Sequence, residues 1–67
     1  MKNRIAESRK AAALSQESLA AMLSVSRQAV IALERGKYNP SLPLAFRLAR
    51  VFNTTIEGLF TDEELGP

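Results

Sequence analysis

Apolar residues along this 67-residue chain recur three and four positions apart, the spacing that gathers side chains on one face of an α-helix. A serine, threonine or asparagine stands just before each of these short apolar segments, where a helix N-cap is expected. Alternating strand patterns and Asn-Gly or Asp-Gly hairpin turns are absent from the sequence. The pattern therefore predicts an all-α fold of five short helices.

The first two predicted helices are short and separately capped. Helix one spans about Asn3 to Ala12, with Asn3 as its N-cap. Helix two begins after its own cap, Ser15, whose hydroxyl is expected to accept a hydrogen bond from a backbone N–H of the first turn. The inward face of helix two is predicted to consist of Leu19, Ala20, Met22 and Leu23.

A very short junction separates helix two from helix three. Residues 24–26 form the interruption, Ser26 is the second cap, and helix three runs from Arg27 to Arg35 before Gly36 ends it in a left-handed conformation. A turn this tight forces a steep crossing, so we predict a helix-turn-helix spanning roughly Gln16 to Leu33. The wedge between the two helices is expected to be filled by Leu19, Ala20, Leu23, Val25, Val30 and Leu33.

The remainder of the chain contains a loop and two more helices. Residues 37–40 are predicted to be a loop, because Pro40 keeps the preceding residue out of the α region. Ser41 caps helix four, Asn53 is a reasonable left-handed terminator, and Thr55 caps a short fifth helix. The inward stripe of helix four is predicted to be Leu44, Ala45, Leu48, Ala49 and Phe52.

The outer face of helix three carries Arg27, Gln28, Ile31 and Ala32 side by side. In a major groove, Arg27 can bond to guanine O6 and N7, Gln28 to adenine N6 and N7, and Ile31 can meet a thymine methyl. The two long polar side chains lie in the first turn, the end that enters the groove in this motif. On an isolated helix they would more simply be solvated, but an apolar Ile31 on a polar face favours a partner, either DNA or protein.

Three runs of sequence carry a resemblance to a known family: LSQESLA at 14–20, VSRQAV at 25–30 and LERGKYNPSL at 33–42. Together they resemble the Xre family of helix-turn-helix regulators, which includes the lambda-type phage repressors, Cro proteins and restriction-modification controller proteins. The similarity covers about Asn3 to Phe60. It implies a lambda-repressor-like five-helix domain with helix three as the recognition helix, and a two-fold dimer on a pseudopalindromic site.

The same resemblance assigns roles to individual residues. It implies base contacts from Arg27, Gln28 and Ile31, with Ala32 beside them too short to hydrogen-bond. It implies phosphate contacts, which position the protein without reading sequence, from Ser15, Gln16, Ser26, Arg35, Lys37, Tyr38 and Asn39. For two of these residues a plainer reading stays open, because Lys37 can be a solvated lysine and Tyr38 can pack its ring on the scaffold.

The scaffold follows the family pattern in one respect and departs from it in another. An arginine of helix one often pairs with a glutamate of helix three in the family, which implies a structural ion pair between Arg9 and Glu34. Ser8 stands in place of a usual leucine, and Ala13 and Ser24 stand in place of glycines. If those two backbones stay left-handed, each costs about 1–2 kcal/mol.

The last predicted helix suggests how the chain self-associates. Its apolar residues, Ile56, Leu59 and Phe60, exceed what so small a monomer can readily cover, and the family commonly dimerises near this end. We therefore predict a homodimer interface that uses these three residues. The alternative is that their side chains simply cap the core.

Charge is distributed unevenly along the chain. Residues 1–53 hold nine Lys and Arg against three Glu, a net charge of +6, whereas residues 54–67 hold four acidic residues and no base, a net charge of −4. We expect one domain over residues 1–67, with a basic body suited to a polyanion and an acidic tail at about residues 61–67. Taken alone, the asymmetry also fits an ordinary solvated surface.

Composition argues against several functional classes. The sequence has no cysteine and no histidine, so it lacks the usual general base, thiol nucleophile and soft-metal ligands, and it contains no glycine-rich phosphate loop. We expect no enzyme activity, cofactor or metal. The sequence also has no apolar run long enough to span a bilayer and no signal-peptide pattern, which predicts a cytoplasmic protein without membrane contact.

The predicted function is a sequence-specific regulator of transcription that binds double-stranded DNA as a homodimer. The alternative is an antitoxin-type or other protein-interaction module, in which Ile31 and the following loop meet a protein partner. Among DNA-binding roles, the sequence does not separate a controller protein from a phage or chromosomal repressor or from an antitoxin.

Overall fold

The computed structural model describes residues 2–60, whose regular structure is helical apart from an isolated antiparallel bridge between Asn3 and Phe60. The helices are α1 Ile5–Ala11, α2 Gln16–Leu23, α3 Arg27–Glu34, α4 Leu42–Val51 and α5 Ile56–Leu59. The predicted all-α architecture of five helices is confirmed for these residues. The acidic tail expected at about residues 61–67 lies outside the described residues.

Four helices begin at the caps that the sequence predicts. The hydroxyl oxygen of each cap accepts a hydrogen bond from the backbone N–H three residues later, over 3.0 to 3.3 Å. Each bond satisfies an N–H group that has no partner within its own helix. The capping residues are Ser15, Ser26, Ser41 and Thr55.

The start of α1 differs from the prediction. The helix begins at Ile5 after Arg4, and Asn3 is not its N-cap. Asn3 instead lies in the bridge to Phe60, where its side-chain oxygen accepts from the Ile5 N–H at 3.0 Å and its amide donates to the Leu33 carbonyl at 2.7 Å. Pairing with the far end of the chain draws this residue out of helical geometry, and sequence periodicity does not report such pairing.

Helices α1 to α4 end through the same backbone device. A left-handed residue follows each helix, and the next residue donates its N–H to a carbonyl five positions back, as in a Schellman motif. Gly36, with φ 71°, fulfils the prediction for α3, although that helix ends at Glu34 rather than at Arg35. The other three left-handed residues are Ala13, Ser24 and Asn53, with φ of 58°, 59° and 52°.

The core forms where α2 crosses α3 and where α4 packs against α2 and α5. The predicted wedge and the helix-four stripe contribute most of the buried residues, although Val25 and Phe52 are only partly buried. The buried residues are Ile5, Leu19, Ala20, Leu23, Val30, Leu33, Leu44, Ala45, Leu48, Ala49 and Leu59. Met22 was wrongly predicted to face inwards, because its side chain is 53% exposed. The buried arc of α2 runs from Leu19 through Leu23 to Ala20, and Met22 lies beyond the Leu19 edge of this arc.

The fifth helix contributes to the core rather than standing free. Leu59 is 1% exposed, so the prediction that it contacts a partner copy is wrong. Helix α5 has only four residues, and Leu59 is the one that is buried and anchors it to the core. The Leu59 carbonyl also accepts a hydrogen bond from the Arg4 N–H at 2.7 Å. Ile56 and Phe60 are partly buried against the same core.

Ser8 lies at an open groove between α1 and the junction of α4 with α5. The groove has a volume of about 430 Å³, and its apolar lining includes Ala11, Val51 and Phe52. Ser8, which stands where the family usually has a leucine, therefore lies at a part of the surface that is not filled.

No helix within residues 2–60 is long and apolar enough to cross a membrane.

Candidate nucleic-acid interface

The first turn of α3 presents its two long polar side chains to solvent. Ser26 caps the helix, so Arg27 and Gln28 are its first two residues, and both are exposed. Ile31 lies one turn further along and Ala32 follows it, and both are partly buried rather than fully exposed. The structure thus brings the four predicted base-reading residues onto one short helix, with the polar pair most accessible.

At the start of α2, the two residues predicted to bind phosphate form hydrogen bonds within the protein. Ser15 accepts from the Ser18 N–H and donates its own hydroxyl to Ser18 Oγ, each over 3.0 Å. The Gln16 amide nitrogen donates to Glu34 Oε1 at 3.0 Å, and this glutamine is partly buried. Both predicted phosphate ligands are therefore already engaged within the protein.

An ion pair supports α3 from α1, as predicted. Arg9 Nε donates to Glu34 Oε2 at 2.6 Å, and Arg9 Nη1 donates to the Leu14 carbonyl at 2.9 Å. The two charged side chains are 13% and 9% exposed. The pair is therefore largely sheltered from water and holds the C-terminal end of α3 against the end of α1.

The ion pair continues outwards through side chains that the sequence analysis treated separately. The Gln16 amide nitrogen donates to the second carboxylate oxygen of Glu34, and the Gln16 amide oxygen lies 3.5 Å from Arg27 Nη2. We call these four residues, Arg9, Glu34, Gln16 and Arg27, the polar chain. It runs from the scaffold to the exposed first turn of α3.

The polar chain contains the contacts that sequence reasoning missed. The predicted pairing with Arg9 occupies one carboxylate oxygen of Glu34 and leaves the second in need of a donor. That unmatched acceptor was the sequence signal that could have pointed to a further contact. Arg47 was also overlooked, although its Nη1 donates to the Leu23 carbonyl at 3.3 Å and so binds a free carbonyl at the end of α2.

The loop after α3 is open to solvent. The four residues predicted to grip phosphate there are all exposed: Arg35, Lys37, Tyr38 and Asn39. Tyr38 is 44% exposed, so part of its side chain is covered by the protein and part is accessible to a partner. Because Arg9 compensates the charge of Glu34, the surface formed by α3 and this loop is positive.

Comparison with known proteins gives a consistent picture. A helix-turn-helix family model matches residues 5–59. An uncharacterized HTH-type transcriptional regulator of Archaeoglobus fulgidus is 52% identical over 67 residues, which covers 97% of this chain and 96% of the relative. A similar regulator of Methanocaldococcus jannaschii is 50% identical over 64 residues, covering 96% of this chain and 97% of the relative.

Similarity extends to a solved structure. The restriction-modification controller protein C.AhdI from Aeromonas hydrophila superimposes with a TM-score of 0.76 at 38% sequence identity, covering 85% of this chain and 86% of that one.

Proposed function

The chain belongs to the Xre-type helix-turn-helix family of DNA-binding transcriptional regulators, which are not enzymes, and from this premise we propose that it recognises a pseudopalindromic site in double-stranded DNA as a homodimer. The observation that carries the proposal is the exposed pair Arg27 and Gln28 in the first turn of α3. This is the part of a helix-turn-helix that enters the major groove.

Base reading follows from the side-chain chemistry on α3. The Arg27 guanidinium matches guanine O6 and N7, and the Gln28 amide matches adenine N6 and N7. Ile31 supplies an apolar contact for a thymine methyl with the part of its side chain that remains accessible. Ala32 extends this surface without a hydrogen-bonding group.

Phosphate binding is assigned to the residues that flank α3. Lys37 and Arg35 supply positive charge, and Tyr38 and Asn39 supply neutral polar groups on the exposed loop. Ser26 uses its oxygen to accept from the Ala29 N–H at 3.1 Å, which leaves its hydroxyl proton for a phosphate oxygen.

A second copy is needed for a two-fold symmetric site. One eight-residue α3 is about 12 Å long and reads a single half-site, whereas half-sites of such regulators lie about 34 Å apart. With Leu59 committed to the core, we assign the dimer contact to Ile56 and Phe60, which are partly accessible at the same end of the molecule.

Selection of bound sequences from random DNA duplexes tests the proposal. The wild-type protein is expected to enrich a two-fold symmetric sequence, and Arg27→Ala is expected to lose preference for one base pair in each half-site. Failure to enrich a symmetric site, or selection of identical bases by the variant, would refute the proposed recognition.

Sedimentation analysis tests the dimer separately. We expect the wild-type protein to show a monomer–dimer equilibrium and Ile56→Asp to shift it towards the monomer. Circular dichroism is expected to show that the variant retains its helicity. Unchanged association of a folded Ile56→Asp variant would remove this residue from the interface.

A further inference from the structure

We propose that Asn3 is a positioning residue for the loop after α3, without itself contacting DNA. Its side chain fixes the turn at Gly36, and that turn aims the positive charges of Arg35 and Lys37 at phosphates. This inference rests on the proposed DNA-binding function. It names a residue outside the helix-turn-helix on which the phosphate contacts of the loop depend.

The first step is that the Asn3 amide has a single orientation. The Ile5 N–H can only donate, so it meets the side-chain oxygen of Asn3, at 3.0 Å. The Leu33 carbonyl can only accept, so it meets the amide nitrogen, at 2.7 Å. A flipped amide would break both hydrogen bonds. The backbone bridge to Phe60 holds the same residue from its other side.

The second step is that the Leu33 carbonyl also belongs to the turn that ends α3. The Gly36 N–H donates to it at 3.0 Å, and the Lys37 N–H donates to the Ala32 carbonyl at 3.0 Å. These are the two hydrogen bonds of a Schellman motif, so both carbonyls have a partner without Asn3. The bond from Asn3 therefore satisfies no orphan acceptor. Its contribution is a fixed direction for the peptide group that begins the turn.

The third step is that this turn carries the positive charges of the loop. Gly36 has a left-handed φ of 71°, which turns the chain away from the helix axis. Arg35 and Lys37 flank it, and both are exposed. A small rotation of the turn would displace both charges, because each stands at the end of a long side chain. A turn that is fixed before DNA arrives also loses less conformational entropy on binding.

This role predicts a different phenotype from a base contact or from a loss of stability. Misplaced loop cations release fewer counterions on binding, so affinity depends less steeply on salt concentration. Phosphate contacts carry no sequence information, so the ratio of dissociation constants between selected and mismatched duplexes stays the same. A purely structural loss lowers the folded fraction of the protein and leaves the salt slope of the folded molecules unchanged.

Fluorescence anisotropy of the full chain carrying Asn3→Ser provides the test. A serine hydroxyl can still accept from the Ile5 N–H, but it ends one bond short of the amide nitrogen that reaches Leu33, and the net charge is unchanged. We expect the slope of log Kd against log salt concentration to become shallower by about one. Between about 50 and 200 mM salt, the Kd of the variant should then change about three- to fourfold less than that of the wild type.

Further variants locate the effect in the loop. In a background with Arg35→Gln and Lys37→Gln, Asn3→Ser is expected to leave the slope unchanged, because the charges that it positions are gone. An additive change of slope in that background would overturn the proposal.

Ala21→Gly, in the exposed interior of α2, is the control for destabilisation and is expected to lower the melting temperature at the wild-type slope. Each Kd is measured at a temperature at which circular dichroism shows the variant to be folded. A shallower slope in Ala21→Gly as well would assign Asn3 a purely structural role.

Failure of this inference is distinguishable from failure of the proposed function. A wild-type protein that selects no DNA sequence refutes the function itself. A wild-type protein that selects a site, with an unchanged salt slope in a folded Asn3→Ser variant, refutes the positioning role alone. A lower ratio between selected and mismatched duplexes in that variant, at the wild-type slope, would also refute it, because Asn3 would then act on base reading.

Discussion

Ala13 and Ser24 carry left-handed backbones that glycine adopts without a steric penalty. Their φ angles of 58° and 59° follow α1 and α2, where the chain must turn sharply into the next helix. A side chain with a Cβ atom costs about 1–2 kcal/mol in this conformation. The Schellman hydrogen bonds and the packing of the following residues hold both positions there despite that cost.

Ser24→Gly is therefore expected to stabilise the protein. The relief of strain exceeds the extra freedom that glycine adds to the unfolded chain, so we expect a gain of about 0.5–1 kcal/mol and a rise in melting temperature of about 3–6 °C. Ala21→Gly, in the exposed interior of α2, is the control and is expected to destabilise by about 1 kcal/mol. A lower melting temperature for Ser24→Gly would contradict the strain assigned here.

Ser26 allows folding and DNA binding to be separated at one residue. Aspartate caps a helix as well as serine does, so Ser26→Asp is expected to keep or raise the melting temperature. If Ser26 faces a phosphate, the new carboxylate should weaken DNA binding at least about tenfold by like-charge repulsion. Thr55→Asp, the same change at the cap of α5, should leave DNA affinity unaltered. Undiminished affinity in Ser26→Asp would remove Ser26 from the phosphate contacts.

At the scale of elements, α3 packs against α2 along its length and is tied by polar contacts at its C-terminal end. Asn3 binds the Leu33 carbonyl, and the ion pair joins Arg9 to Glu34. The exposed first turn projects from this anchored end. A short helix fixed in this way can present the side chains proposed to read bases with little loss of conformational entropy on binding, which favours selective recognition.

Removing both partners of the ion pair is expected to destabilise the fold by less than the sum of the two single removals. Arg9→Met leaves a largely buried carboxylate uncompensated and should cost about 2–3 kcal/mol. The double variant with Glu34→Met replaces both charges by apolar groups, so it should cost clearly less than the sum of the two single variants. Urea denaturation measures all three, and an additive result would show that the pair contributes no coupling.

Local signals explain which elements could be predicted from sequence. Each of four helix starts depends on a capping side chain and the backbone N–H three residues later, so these starts can be predicted without a structure. The capping residues are Ser15, Ser26, Ser41 and Thr55. Met22 was predicted to face inwards and Leu59 to face a partner, and the structure reverses both, because burial depends on which distant element covers a side chain. The contact of Gln16 with Glu34 also required the crossing of α2 over α3, which spacing alone does not specify.

For the whole molecule, the separation of charge matters more than its total. The net charge is +2, yet the basic residues lie within the first 53 positions and four of the seven acidic residues follow them. Around α3, Arg27, Arg35 and Lys37 are exposed. A polyanion approaching this face meets a positive potential, which accelerates association and makes affinity depend on salt.

Lys37→Gln tests that dependence. If Lys37 contacts a phosphate, the slope of log Kd against log salt concentration should become shallower by about one, because one fewer counterion is released. Arg50→Gln, on an exposed position of α4 outside the predicted interface, should keep the wild-type slope. Equal slopes for Lys37→Gln and the wild type would indicate that Lys37 is a solvated side chain without a DNA contact.

The bridge between Asn3 and Phe60 bears on the order in which the protein assembles. It joins positions nearly the full described length apart, and the Arg4 N–H bond to the Leu59 carbonyl lies beside it. Contacts so distant in sequence form late, because the intervening chain must first be ordered. During synthesis, Asn3 would therefore gain its bridge to Phe60 only after residue 60 leaves the ribosome. Helix α3, the proposed recognition helix, is encoded in the middle of the chain, but its C-terminal anchorage is completed by the last part of the described chain to be made.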